Sequence, residues 1–505
     1  MDMIEIGSLL LQGFSRMLDL KLLFLCLCGT TVGTLVGVLP GLGPAAAIAI
    51  LLPLIYGVDP LSALVALSGV YYGAMYGGTI TSVLLNLPGE SAAVVTTFDG
   101  YPMAQQGRGG VALGISAIGS FVAGTFGIFF LTLIAVPLSR MALKFGPPEQ
   151  FAVMVLVFSL CSSLTEGGLI KSLLSLFVGL LFACVGQDVV SGSQRLTWGA
   201  VYLMDGITFL PAVVGMYGLA DVTYNIIHPS EFIHGAEETK LHLRDVFPSL
   251  IDLKDSTGSI IRGSIIGFIV GVLPGAGATI ASFMSYGIEK RISKTPEKFG
   301  TGVIQGVAGP ESANNGASSG AFVPLLALGI PGSSTTAVLL GAFIMVGIQP
   351  GPRLFNEHPD IVWGLIASMY VGNIMLLIMN VAFIPVFVWL LRISKRSLPV
   401  IIATLCFIGI YAMNNQMADV WMMLFFTALG YAFKVADIPA SPLIIALVLG
   451  EGMEDSLRQA LVMSKGSPAL FFTRPISLVL LIASMISLAF PLIKNWYNRN
   501  ANGAE

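Results

Sequence analysis

Apolar residues run in long blocks along nearly the whole chain. Leu22–Val38, Ile115–Val136, Phe151–Leu160, Leu173–Val185, Ile361–Leu391, Val400–Tyr411, Trp421–Phe433 and Ile476–Ile493 hold few charges or none. A helix that crosses a bilayer needs about 20 mostly apolar residues, so the pattern predicts roughly ten to twelve crossings, some of them broken. Before the first block, Ile4, Ile6, Leu9, Leu10, Phe14, Met17 and Leu18 form one apolar face. That face predicts a helix lying in the membrane interface. The one long polar stretch, roughly 228–259, carries Glu231, His234, Glu237, Glu238, Lys240, His242, Arg244, Asp245, Asp252, Lys254 and Asp255. Its histidines raise a metal site, but no ligand spacing supports one, and it reads as a solvated linker.

Two strings interrupt the apolar pattern in the same way. GTLVGVLPGLG spans Gly33–Gly43, and GFIVGVLPGAG spans Gly267–Gly277, 234 residues later. A second pair follows: YGAMYGGTITSVLLNLPGESAAVV from Tyr72 and NGASSGAFVPLLALGIPGSSTTAV from Asn315, offset by 243. The charged insert Glu289–Lys298 accounts for the longer offset. Two motifs in the same order at nearly the same spacing indicate an internal duplication. The expected segments are 1–19 (interfacial), 20–225 (first repeat), 226–260 (linker), 261–493 (second repeat) and 494–505 (tail). Lys290, Arg291, Lys294 and Lys298 place their loop in the cytoplasm, while the equivalent loop Tyr56–Pro60 has no basic residue, which favours inverted repeats. Basic groups at Arg140 and Lys144 and at Arg392, Lys395 and Arg396 argue the other way.

Proline removes a backbone donor and glycine permits turns, so Pro40, Gly41, Gly43, Pro274, Gly275 and Gly277 are expected to break their helices and shape a cavity. Non-helical backbone survives at membrane depth only against protein or a water-filled cavity. Paired breaks in two halves point to a transporter's midplane site. Free N–H groups at the new helix starts attract anions, and free carbonyls can coordinate Na⁺. The substrate-binding candidates are Asn86, Pro88, Gly89, Glu90 and Ser91 in one half and Pro331, Gly332, Ser333, Ser334 and Thr335 in the other. For any single glycine, close helix packing competes with ligand contact. Gly309–Gly320, with Glu311, Asn314 and Asn315, is so polar for its setting that it is expected to face a cavity. Glu90, Glu311, Asn314 and Asn315 are the cation-coupling candidates, although either acid suits the membrane interface as well. Arg108 and Arg353 read as topology anchors or as anion attractors, and Glu166 and Asp188 as loop residues.

Composition narrows the class. Of 505 residues, 55% are hydrophobic and 10% charged, against about 25% charged in soluble domains. The expected fold is therefore an all-α polytopic membrane protein with two internal repeats and broken or re-entrant segments. The net charge of −3 favours no nucleic-acid partner. Cys26, Cys28, Cys161, Cys184 and Cys406 all lie in apolar segments and read as small buried hydrophobes. There is no phosphate-binding GxxxxGK[ST] loop and no base-activated nucleophile pattern, so neither an ATPase nor an intramembrane enzyme is expected. No resident cofactor or metal is expected beyond a coupling cation.

GVLPGLGP, YGGTITSVLLNLPGESAAVVTTFDGYPMAQQGRGGVALG, GVLPGAGATIASF, GPESANNGASSGAFVPLLALGIPGSSTTAVLLGAF and GIQPGPRLF together resemble the large membrane subunit (TctA-like) of the tripartite tricarboxylate transporters. The resemblance implies a multi-pass permease of a bacterial inner membrane. It also implies a small membrane partner subunit, a periplasmic solute-binding protein, and uptake of citrate or related carboxylates driven by Na⁺ or H⁺. A stand-alone permease or channel for another organic anion is the alternative, and a sensor the more distant one.

Overall fold

The computed structural model describes residues 3–39, 43–86, 88–165, 168–188, 192–228, 243–275, 277–384, 386 and 397–502. The described chain is built from helices, with one short antiparallel hairpin, β1 (Gly186–Gln187) against β2 (Gln194–Arg195). The described parts of the apolar blocks fall mostly in helices. The first half holds α1 (Met3–Met17), α2 (Leu20–Val38), α3 (Pro44–Leu51), α4 (Pro60–Leu85), α5 (Val94–Gln105), α6 (Gly109–Ala142), α7 (Pro147–Leu164) and α8 (Leu169–Ala183). Then α9 (Phe209–Val213) runs through a π-helical stretch, Val214–Leu219, into α10 (Ala220–Ile227). The second half holds α11 (Leu250–Val272), α12 (Gly277–Ile292), α13 (Gln305–Gly320), α14 (Phe322–Leu328), α15 (Ser334–Met345), α16 (Leu354–Glu357) and α17 (Pro359–Ala382). Among the described residues five helices follow: Ser397–Asn414, Met417–Val435, Ser441–Met463, the short Leu470–Thr473 and Pro475–Asn502.

Among the described residues, five helices are long and apolar enough to cross a membrane: α2, α6, α7, α17 and Met417–Val435. Shorter apolar helices accompany them. The protein is an all-α, multi-pass membrane protein. Its outer surface carries large apolar side chains such as Phe129, Phe177, Ile269, Ile378 and Trp421, which suits contact with lipid. α1 packs on α17: a β-carbon on Gly13 would overlap the Trp363 carbonyl, while Ile4 and Leu11 stay exposed.

Glycines set the core. On α2, Gly29, Gly33 and Gly37 press against the backbone of Ala66, Val70 and Ala74 of α4. On α11, Gly263, Gly267 and Gly271 press against Gly309, Ala313 and Ala317 of α13. Small residues let backbones approach this closely, and association in lipid depends on such packing. The same offsets, 234 and 243, relate the two sets. Tyr71, Tyr72 and Phe322 join α4 to α14 with ring centroids 5.9 and 5.6 Å apart for the two tyrosine–phenylalanine pairs.

The polar linker is shorter than its composition suggests. α10 continues to Ile227, and α11 starts at Leu250 rather than near 261. Ser249 caps α11 and Asp252 returns the bond, so Asp252, Lys254 and Asp255 belong to helix. A capping box of this kind nucleates a helix even in a polar segment. His234 and His242 lie outside the described residues.

Candidate functional site

Both copies of the opening motif end a helix. α2 stops at Val38, Leu39 is extended (φ −88°, ψ 109°), and α3 restarts at Pro44. Pro40 and Gly41 lie outside the described residues. α11 stops at Val272, Leu273 is extended (φ −82°, ψ 121°), and α12 restarts at Gly277. Gly275 and Gly277 turn the chain at φ +81° and +63°, a region glycine enters at no steric cost. The Gly275 N–H donates to the Gly332 carbonyl at 3.0 Å, which ties this break to the Pro-Gly loop of its own half.

Those loops also share a plan. α4 ends in Asn86 at φ +57°, and α14 ends in Gly329 at φ +71°. The chain is extended at Glu90 (φ −142°, ψ 166°) and at Ser333 (φ −153°, ψ 171°). Each position sits 243 residues from its counterpart. Ser333 caps α15, its hydroxyl accepting from the Thr336 N–H at 3.3 Å. Ser91 opens a short 3₁₀ turn into α5, and its hydroxyl meets that of Thr279 on α12 at 2.8 Å.

The breaks surround one cavity of about 530 Å³. Its wall includes Gly43 at the start of α3, Pro88–Ser91 before α5, Gly275 and Gly277 at the start of α12, and Ser333–Thr335 at the start of α15. Four helix N-termini therefore meet here, each with backbone N–H groups that have no partner within the helix. Asn86, Pro331 and Gly332 are not on the wall. Asn86 serves as a left-handed helix end, a conformation asparagine tolerates, and Gly332 lies behind the loop against Gly271 and Ala321.

Gly309–Gly320 does not face the cavity. It forms most of α13, and Glu311, Asn314 and Asn315 are all buried away from the wall. Glu311 accepts from the Thr79 hydroxyl at 2.7 Å and from the Thr96 hydroxyl. Asn315 donates to Ser120 Oγ at 2.7 Å. Asn314 Nδ2 donates to Glu90 Oε1 at 2.8 Å, while the buried Asn314 Oδ1 has no partner among the described residues. The polar side of α13 is a seam to α4, α5 and α6, whose hydroxyls bond Glu311 and Asn315. Under the 243 offset Asn314 corresponds to Tyr71, and Tyr71 lines the cavity together with Ser333.

Sequence reasoning missed several wall residues: Tyr71, Thr165, Tyr217, Asp221, Thr279 and Lys434. Lys434 Nζ lies 2.6 Å from Asp221 Oδ1 and 4.9 Å from the centre of the Tyr224 ring. Asp221 carried a signal, a lone acid after the apolar run Leu210–Ala220. Lys434 closes an apolar block and resembles an ordinary end-of-helix anchor. Arg108 is neither free nor near the cavity: it pairs with Asp252 at 2.6 Å. Arg353 is exposed beside α16. Asp188 is buried and paired with Arg458 at 2.6 Å, and Glu166 lies outside the described residues.

Two comparisons with known proteins give matches. The chain is 43% identical over 491 residues to an uncharacterized 52.8 kDa protein in the TAR-I ttuC' 3' region of Agrobacterium vitis, covering 97% of each chain. It is 43% identical over 227 residues to an uncharacterized protein in the TAR-II ttuC' 3' region of the same organism, covering 45% of this chain and 94% of the relative. No solved structure matches. The Tripartite tricarboxylate transporter TctA family matches residues 23–445. A match of that extent, on a chain of broken membrane helices, leads to one conclusion: the protein belongs to the Tripartite tricarboxylate transporter TctA family.

Proposed function

We propose that the protein is the permease subunit of a secondary transporter that imports citrate-like di- or tricarboxylates across a bacterial inner membrane. In this reading a Na⁺ or H⁺ gradient drives uptake, a periplasmic binding protein delivers the substrate, and a small membrane subunit completes the assembly. The observation that carries it is the meeting of four helix N-termini around one cavity. Backbone N–H groups and small hydroxyls at helix starts bind carboxylates through hydrogen bonds and the helix dipole. The volume suits a small organic ligand, since such sites run from about 300 to 1,000 Å³. The matching offsets of the glycine contacts, helix ends and loop tips support the internal duplication.

Cation coupling has its own support. The described wall carries Glu90, Asp221 and Lys434, so two acids face one ammonium. A polyanionic substrate entering such a cavity needs positive charge to accompany it. In this reading the cation or proton sits at the Glu90 carboxyl, which Asn314 Nδ2 steadies, and the substrate carboxylate at Ser333–Thr335.

The test is uptake of labelled citrate, succinate and benzoate into proteoliposomes holding the permease and its membrane partner. Na⁺ and proton gradients are imposed independently, with and without the binding protein. Uptake that follows one gradient and needs the binding protein is expected. Failure to accumulate any carboxylate under all gradients would sink the reading, and full uptake without the binding protein would replace it with a stand-alone permease.

A further inference from the structure

We infer that Lys434 is the cationic contact for a substrate carboxylate, and that Asp221 is an internal counter-ion which that carboxylate displaces. The inference rests on the carboxylate reading above and assigns its charge contact. Lys434 is the one basic side chain on the described wall, and Asp221 its partner at 2.6 Å.

The fold brings this pair to the cavity deliberately. Gly215 in the π-helical stretch packs against the Met423 carbonyl, and Gly430 packs against Met216, so α10 and Met417–Val435 run in close contact. π-helical turns inside helices recur at functional sites because they re-aim side chains. Here Tyr217 and Asp221, four residues apart across the end of that stretch, both reach the wall. A lysine at the end of a membrane helix usually extends toward water. Lys434 instead turns inward, with its ammonium over the Tyr224 ring. Cation–π attraction steadies the ammonium without consuming its donors. An ammonium has three N–H groups. Asp221 Oδ1 accepts from one, which leaves donors for a second carboxylate. Asp221 and an incoming carboxylate compete for the same charge, so removing each partner has opposite effects on ligand affinity. A merely structural ion pair would weaken the protein, and with it the site, whichever partner was removed.

The experiment measures citrate binding to the full-length transporter with its membrane partner, by citrate-dependent thermal stabilisation in detergent. The melting point without citrate reports folding. Lys434→Met is expected to weaken citrate binding about 10- to 100-fold, the loss of a hydrogen bond to a charged group. Asp221→Asn is expected to tighten it roughly 5-fold, the worth of a partly exposed ion pair. Lys434→Arg stays within a few-fold of wild type. The double variant Lys434→Gln/Asp221→Asn leaves no unpaired charge and so folds where single variants fail; it is expected to bind as weakly as Lys434→Met. Weakened binding in Asp221→Asn, or wild-type binding in either variant lacking Lys434, overturns the inference alone. A wild-type protein that responds to none of citrate, succinate or benzoate overturns the carboxylate reading and the inference together.

Discussion

Gly89 and Gly332 occupy equivalent positions in the two Pro-Gly loops, yet alanine is expected to act very differently at each. A β-carbon on Gly89 would overlap the Gly37 carbonyl oxygen and sit 2.7 Å from the Gly78 α-carbon. Both neighbours are helix backbone, held by the glycine seam between α2 and α4, so neither can yield cheaply. A β-carbon on Gly332 would lie 3.0 Å from the Gly271 carbonyl oxygen and 3.1 Å from the Ala321 β-carbon. That contact is relieved by a small shift. Overpacking costs about 1–3 kcal/mol, and a glycine-to-alanine change returns about 0.4–1 kcal/mol through the unfolded chain. Gly89→Ala is therefore expected to cost roughly 2 kcal/mol, which lowers the ratio of seated to unseated loop about 30-fold. Gly332→Ala is expected to lie near neutrality. Thermal unfolding in detergent and carboxylate uptake, measured on both variants, check the pair. Equal damage at the two sites, or a Gly89→Ala protein indistinguishable from wild type, would refute the packing argument.

Asn314→Leu removes the donor to Glu90 while keeping the side chain's bulk, and hydrogen bonds to charged groups are worth about 1.5–3 kcal/mol. Under the proposed coupling, the cation concentration for half-maximal uptake rises at least several-fold; an unchanged cation dependence would separate Asn314 from coupling. Asp99 is buried on α5 and accepts from the Gly300, Gly302 and Val303 N–H groups at 2.9, 2.8 and 2.8 Å and from the Tyr286 hydroxyl at 2.9 Å. Asp99→Ala strands those donors and is expected to cost roughly 3–5 kcal/mol. Faster tryptic cleavage at Lys290–Lys298 is the readout, and cleavage at the wild-type rate would count against the Asp99 anchor.

The elements whose chemistry is local were legible in the sequence. Proline and glycine end helices by their own geometry, so the breaks at Leu39 and Leu273 and the loops before α5 and α15 followed from the strings alone. Asn86 misled: offered as a substrate ligand, it ends α4 in a left-handed turn, as Gly329 ends α14. What failed was inference about facing. α13 was read as cavity-lining because polar residues look costly among apolar segments. Its partners, Thr79, Thr96 and Ser120, are hydroxyls on hydrophobic helices, where they barely alter hydropathy. The contacts that join distant helices were equally hidden: Asn314 meets Glu90 across 224 residues, and Lys434 meets Asp221 across 213. Each residue alone had an ordinary explanation, and only the fold makes the pairs.

The scaffold is matched between halves, but its chemistry is not. At equivalent loop tips one half presents Glu90 and the other Ser333; Glu90 is bonded from the other half by Asn314, while Ser333 caps its own helix. Matched helix starts supply donors from both sides, while the carboxyl and its amide lie on one side only. Two unit charges about 4 Å apart interact by roughly 4 kcal/mol at an effective dielectric constant near 20. A substrate carboxylate brought that close to an ionised Glu90 would lose about three orders of magnitude in affinity. A proton on Glu90, or a sodium ion at its carboxylate, removes that penalty. Under the proposed reading, the asymmetry at these two loop tips is what makes tight carboxylate binding conditional on the cation, and Glu90→Gln would be expected to bind citrate tightly without it.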